Sequence, residues 1–315
     1  MFQPINKYLI YYPVQFLRGE KVGKYLSEVS KIERLQLSEI EKIQLQKIKE
    51  IIRYSYKNIP YYTELFDAHR VKPDDINTYE SLERIPVLTK QSILKNEDRL
   101  VKQNFEGKLY TRKTSGSTGL TLHFLKERNA TALNDAIMYR CYSWYGIDIG
   151  DRQARFWGVP VVSKLRLRER IKDLVLNRIR ISAFEISESS CLEQYQRIKK
   201  FKPAYFYGYT TAIYGFCLFM KKLGIDMNSL NLKAIICTAE KMYPHHLKLF
   251  NEVFNCPIVD EYGTSENGIL AFQCGQGNMH LMSDHVCIEF LDENNRQVKA
   301  GELGRIVITD LVSYG

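Results

Sequence analysis

The chain has 315 residues, 45% of them hydrophobic and 26% charged, and a net charge of +9. This is the composition of a soluble globular protein, long enough for one large domain or two modest ones. No apolar run is long enough to span a bilayer, and the opening segment, broken by Asn6, Lys7, Pro13 and Gln15, lacks the pattern of a secretory signal. Seven cysteines, an odd number with no regular framework, point to reduced thiols and a cytoplasmic setting.

In chain order, residues 31–58 read first as helix, with Leu37, Ile40, Ile48, Ile51 and Ile52 at helical spacing. Ser38 and Glu41 fit a capping box, and Pro60 ends the run. Residues 58–90 alternate short helical pieces with proline-marked turns. Further on, residues 164–180 hold seven cations against two acids. A solvated basic helix or loop is the expectation there; a membrane-surface contact or a polyanion site is the sharper alternative. No basic motif with interleaved aromatics is present, so no nucleic-acid partner is expected, and the lack of a long apolar run argues against stable membrane insertion.

From residue 111 the texture changes. Runs 154–162, 181–186, 204–209, 234–239 and 256–262 read as strands, and 187–201, 211–224 and 243–254 as the helices between them. This alternation predicts an α/β fold with mostly parallel sheets flanked by helices. Residues 286–310 instead read as two alternating strands around a polar turn, an antiparallel hairpin. The predicted organisation is a helical region over 1–110, an α/β core over 111–285 and a terminal hairpin over 286–315.

Two short motifs carry the chemistry. The first is Thr114, Ser115, Gly116, Ser117, Thr118 and Gly119. Two glycines open backbone angles that let N–H groups converge on an anion, and the hydroxyls add donors. The run lacks the lysine of the usual phosphate loop, and alone it reads equally as a flexible linker. The second is Tyr262-Gly263-Thr264-Ser265-Glu266, after a predicted strand. Tyr262 offers a face to a purine ring, Gly263 permits close approach, Ser265 can donate to a phosphate oxygen and Glu266 can hold Mg2+.

In this order and separation the two motifs resemble those of the adenylate-forming (AMP-binding, acyl-CoA synthetase) superfamily. The segments NIPYYTELFD, VKPDDI and LERIPVLTK narrow the resemblance to the phenylacetate–CoA ligase branch, and within it to the CapK-type proteins associated with capsular polysaccharide. The branch's phosphate loop commonly lacks a lysine. The resemblance implies ATP-dependent activation of a small carboxylic acid as its acyl-adenylate, then transfer to coenzyme A. It places Ala239 and Glu240 along one face of the adenine and Tyr262 on the other. Ser115, Ser117, Thr118 and the loop amides would clamp the β- and γ-phosphates, and Glu266 would hold Mg2+. A homodimer is compatible with it.

The sequence departs from the family at its end. No residue up to Gly315 matches the ribose-binding Asp, the hinge or the lysine of the small C-terminal domain. The expectation is therefore a truncated member, with a nucleotide- or partner-binding protein without activity as the alternative to an active ligase. Cys274, His280, His285 and Cys287 lie close in sequence, and the branch carries a similar Cys–His pair; a zinc site at Cys274 and His280 competes with Cys287 being a core residue. His245 and His246 are read as flanking a helix start, and His123 as a strand residue. Trp144, Tyr145, Trp157, Tyr207, Tyr209 and Tyr214 suggest either an aromatic acid pocket or core packing.

Overall fold

A computed structural model of the chain describes every residue except 104, 115–120, 159–162, 185–186 and 315, and the side chains of 163–166 are also left undescribed. The chain opens with α1 (Gln3–Ile5), a π-helical stretch over Asn6–Tyr11 and α2 (Tyr12–Leu17). There follow α3 (Val22–Ile32), α4 (Leu37–Asn58), α5 (Pro60–Ala68) and α6 (Lys90–Lys95), then strands β1 (Leu109–Lys113) and β2 (His123–Glu127). Next come α7 (Arg128–Ser143), β3 (Gln153–Trp157), α8 (Ser163–Val175), β4 (Arg178–Ser182), α9 (Glu188–Phe201), β5 (Tyr205–Tyr209), α10 (Thr210–Lys222), β6 (Ala234–Thr238), α11 (Pro244–Val253) and β7 (Ile258–Thr264). The chain closes through β8 (Gly268–Gln273), β9 (Met279–Leu281), β10 (Val286–Leu291) and β11 (Arg305–Asp310). Contacts divide it into two units: residues 1–26, 135–264 and 269–281 form the first, and 27–134, 265–268 and 282–315 the second.

The first unit is built on a seven-stranded sheet in the order β4-β3-β5-β6-β7-β8-β9. The pairs β3–β4, β3–β5, β5–β6 and β6–β7 are parallel, and β8–β9 is antiparallel. Strand alternation sends Ala154, Phe156, Ile181, Phe206, Ile235 and Cys237 to one face, where they form a core with α9, α10 and α11. On the other face Gln153, Arg155, Trp157, Arg178, Arg180, Tyr207 and Glu261 make a polar and aromatic band. Such a band explains why β3 and β4 are not the continuous apolar runs of a strand buried on both sides. Gly208 is required where β5 meets β3: a Cβ there would lie 2.2 Å from the carbonyl oxygen of Phe156.

The second unit packs Ile48, Ile51 and Ile52 of α4 against Phe66 of α5, Leu82, Cys287 of β10 and Leu311. β1 and β2 form an antiparallel ribbon, as do β10 and β11, the latter through six paired positions from Val286↔Asp310 to Leu291↔Arg305.

The α/β class, the parallel sheet and the terminal hairpin agree with the sequence reading. Several boundaries differ. The predicted helix over 31–58 divides, because α3 ends at Ile32 and α4 begins at Leu37. The reciprocal acid is Glu39, whose carboxylate accepts from the backbone N–H of Gln36 at 2.9 Å, and Ser38 already lies inside α4. Both residue pairs have the right spacing; the extended backbone at Gln36 decides between them. β3 stops at Trp157, and β4 starts at Arg178 rather than at residue 181.

The basic run 164–180 is not a single solvated face. Its first part is α8, but Arg178 and Arg180 are strand residues, with 4% and 13% of their side chains exposed. Asp173 of α8 accepts from both, at 2.6 Å from Arg178 Nε and 2.9 Å from Arg180 Nε, and Glu169 pairs with Arg180. The acids that look like dilution of a basic stretch are the partners that allow two arginines into the interior.

Candidate functional site

Residues of the second motif fall in both units, and each part is described in its own. In the first unit, β6 ends at Thr238, and the chain turns at Ala239 with φ +65°. A non-glycine residue in this left-handed region is uncommon and costs free energy, so its surroundings must hold it. They do. Glu240, next in the turn, accepts from both the backbone N–H and the hydroxyl of Thr211, each at 2.8 Å. Those donors lie in the first turn of α10, where orphan N–H groups and the helix dipole favour a carboxylate.

The neighbouring strand brings Tyr262 to this turn. Thr238 pairs with Glu261 across the parallel ladder, so Ala239 and Tyr262 come next on adjacent strands, at the carboxyl edge of the sheet. Tyr262 is 44% exposed although it lies in a strand whose preceding residue is buried. An open aromatic ring beside a left-handed turn at the carboxyl ends of parallel strands is the kind of place where open α/β sheets bind ligands.

Glu261 is a residue whose chemistry the motif does not announce. It accepts from Tyr142 Oη at 3.1 Å and from Tyr207 Oη at 3.2 Å, and it is buried. Burial pushes its carboxyl up to about 7, against opposing hydrogen bonds from Thr238, Tyr142 and Tyr207 and the charge of Arg155. An acidic residue two positions after Val259, at the inward period of the same strand, was the available signal.

In the second unit, Thr114 anchors the mouth of the loop: its N–H donates to the carbonyl of Leu122 at 3.0 Å, and its hydroxyl accepts from the N–H of Leu122 at 3.0 Å. The predicted clamp residues Ser115, Gly116, Ser117, Thr118 and Gly119 lie outside the described residues. Ser265 and Glu266 sit in the turn before β8, and the Glu266 carboxylate has no hydrogen-bond or ion-pair partner among the described residues. A carboxylate beside a serine hydroxyl is a hard-oxygen donor pair, which suits Mg2+ completed by phosphate and water.

A lysine that sequence reasoning missed underlies this turn. Lys126 of β2, on the strand leaving the loop, has 5% of its side chain exposed and donates to the backbone carbonyl of Glu266. Its Nζ also lies 3.5 Å from Asp310 Oδ2, and burial lowers its pKa. Asp310 in turn accepts from Asn267 Nδ2 at 3.1 Å and from the backbone N–H groups of Val312 and Ser313 at 2.8 and 3.0 Å. The segment that carries Glu266 is thereby tied to the end of β11.

The proposed zinc set does not assemble. Among the described residues no group of three or more His, Cys, Asp or Glu side chains is placed to hold a metal ion. His280 instead packs edge-on to Trp144, ring centres 5.8 Å apart, and Cys287 is core in the second unit. Two candidate ligands alone fall short of the four a structural zinc takes. His123 begins β2, and His245 and His246 lie in the first turn of α11. Of the six aromatic residues considered for an acid pocket, Trp157 stacks on Tyr209 at 4.1 Å and on Tyr207 at 6.0 Å. Trp144 and Tyr145 pack on Phe272, and Tyr214 packs with His246 and Phe250.

Comparison with solved structures then fixes the architecture. The chain superposes on 2-hydroxyisobutyryl-CoA ligase in an open conformation, in complex with 2-HIB-AMP and CoA, with TM-score 0.71 and 20% identity over 89% of this chain and 67% of that one. The same ligase in its thioesterification state gives TM-score 0.72 over 89% of this chain and 61% of the other. The chain has the adenylate-forming fold. Protein CapK of Staphylococcus aureus is 26% identical over 233 residues, 72% of this chain and 51% of that protein. The chain thus spans about half the length of this curated relative. No family model matches it. No helix among the described residues is long and apolar enough to cross a membrane.

Proposed function

We propose that this chain activates a small carboxylic acid with ATP as an acyl-adenylate and passes the acyl group to coenzyme A. The observation that carries the reading is that Ala239, in its left-handed turn, and exposed Tyr262 each directly follow the last paired residues of β6 and β7, Thr238 and Glu261. In this reading the adenine lies between the turn at Ala239–Glu240 and the ring of Tyr262, with Gly263 leaving room for its approach. The sequence resemblance assigns phosphate binding to the Thr114–Gly119 run and to Ser265. Glu266 would hold Mg2+, which would supply the charge neutralisation on which phosphoryl chemistry depends. The ligases with the same fold, bound to an acyl-adenylate and CoA, support the reaction class. The seven free thiols are consistent with a cytoplasmic enzyme. The similarity to CapK is what suggests a role in capsular polysaccharide synthesis.

The test is acid-dependent release of pyrophosphate from Mg-ATP across a panel of aliphatic, hydroxy and aromatic acids, followed by CoA-thioester formation. Release above background with at least one acid is expected. ATP binding without release for any acid would leave a nucleotide-binding protein and reject the ligase.

A further inference from the structure

The strand order reverses direction at β3, which lies between β4 and β5. Such switch points in parallel sheets are where ligands bind, outside the carboxyl ends of the strands. Here β3 and β5 end in Trp157 and Tyr209, stacked at 4.1 Å with planes 14° apart, and both are partly exposed. Two positions before Trp157 stands Arg155. Its guanidinium lies 4.5 Å from the Trp157 ring and 5.3 Å from the Tyr207 ring.

Arg155 differs from Arg178 and Arg180 in having no hydrogen-bond acceptor among the described residues. Its buried Nε has no partner, and no hydrogen bond or ion pair engages its guanidinium among the described residues. The hydrogen bonds of the nearby acids go elsewhere: those of Asp173 and Glu169 to Arg178 and Arg180, and those of Glu261, whose carboxyl feels the Arg155 charge without bonding to it, to the hydroxyls of Tyr142 and Tyr207. An arginine presents five donors in a planar fork that matches a carboxylate, and leaving it unmatched in a half-buried place is costly. The aromatic rings hold its plane without using those donors.

We infer that Arg155 selects acids bearing a second anionic group, a carboxylate or its equivalent, remote from the carboxyl that is activated. The inference rests on the ligase reading above. Geometry sets the separation: β3 lies three strands from β7, roughly 14 Å at ordinary strand spacing. With Tyr262 marking the nucleotide side, the two ends of the substrate are separated by several bonds, and its middle lies along the Trp157–Tyr209 wall.

The experiment compares wild type, Arg155→Met and Arg155→Lys on length-matched pairs of acids, glutarate against valerate and adipate against hexanoate, by kcat/KM for pyrophosphate release. Wild type is expected to prefer the diacid by more than about tenfold, because a site built to pair with a group rejects analogues that lack it. In Arg155→Met the loss falls at least tenfold more on the diacid than on the monoacid, and Arg155→Lys, which keeps charge but not the fork, lies between. No preference in wild type, or equal loss on both acids, overturns the inference. If no acid releases pyrophosphate, the ligase reading fails by itself. Calorimetric titration of the same acids without ATP then decides for Arg155: diacid binding weakened in Arg155→Met supports it, and no diacid binding refutes it. Arg155→Lys serves the comparison should Arg155→Met not fold.

Discussion

Glu240 accepts two hydrogen bonds from Thr211, one from its backbone N–H and one from its hydroxyl, both at 2.8 Å. The carboxylate thus closes the amino end of α10 and at the same time holds the turn in which Ala239 takes a left-handed conformation. Glu240→Ala removes both bonds and a favourable helix-end charge. It is expected to destabilise the fold by about 1–3 kcal/mol in urea denaturation. Glu240→Gln keeps an acceptor and should lose clearly less. Equal stability of wild type and Glu240→Ala would show that the turn is held by other contacts.

Glu261 makes stability depend on pH in an unusual direction. Its folded carboxyl titrates at about 7 against 4.5 for the ordinary group, chiefly through burial. Below the ordinary value it is protonated in both states. Between the two values the folded state keeps a proton that the unfolded chain releases, so stability falls as pH rises through that window. The melting temperature of wild type should drop from pH 5 to pH 8 relative to Glu261→Gln, which cannot ionise. Parallel pH profiles for the two proteins would contradict the assignment.

At Gly208 the approach of β3 leaves no space, with a Cβ falling 2.2 Å from Phe156 O. Gly208→Ala must separate β3 from β5 at the centre of the sheet. A loss of more than about 3 kcal/mol, or failure to fold, is expected, placing it among the severe single substitutions. A mild effect on melting would mean that the two strands can shift apart cheaply.

Lys126 is a positioning residue in this account. It holds the main chain of Glu266 through a hydrogen bond to its backbone carbonyl. Lys126→Met leaves the partly buried carbonyl of Glu266 without this donor and loosens the turn. The Mg2+ concentration for half-maximal activity should rise more than the KM for acid. A structural role alone would lower all parameters together through loss of folded protein, and Lys126→Arg, which keeps a donor, should recover part of the Mg2+ affinity.

Much of the first unit is legible from the pattern of residues. Strands β5 and β6 and helices α9, α10 and α11 fall within one or two residues of their predicted bounds, since each has a clear period and a capping or turn residue at its end. The weaker hairpin of β8 and β9 is not legible, because Gly268–Gln273 and Met279–Leu281 offer few alternating positions. The polar partners were hidden for a different reason. Lys126 is 140 residues from Glu266 and 184 from Asp310, and nothing local marks a lysine as buried. Arg178 and Arg180 look like surface charge until α8 lays Asp173 across them. In the sequence Tyr262 and Glu240 are motif letters; the structure adds that Glu240 is already engaged as a helix-end acceptor while the ring of Tyr262 stands open.

The central claim is that the Ala239–Glu240 turn and Tyr262 form a nucleotide site. Calorimetric titration of the chain with Mg-ATP and with AMP, in wild type and in Tyr262→Ala, tests it most directly. Saturable binding of both nucleotides, weakened by about tenfold or more when the stacking ring is removed from a protein that melts as wild type does, is the predicted result. Absence of saturable binding in wild type, or equal affinity in Tyr262→Ala, would contradict it.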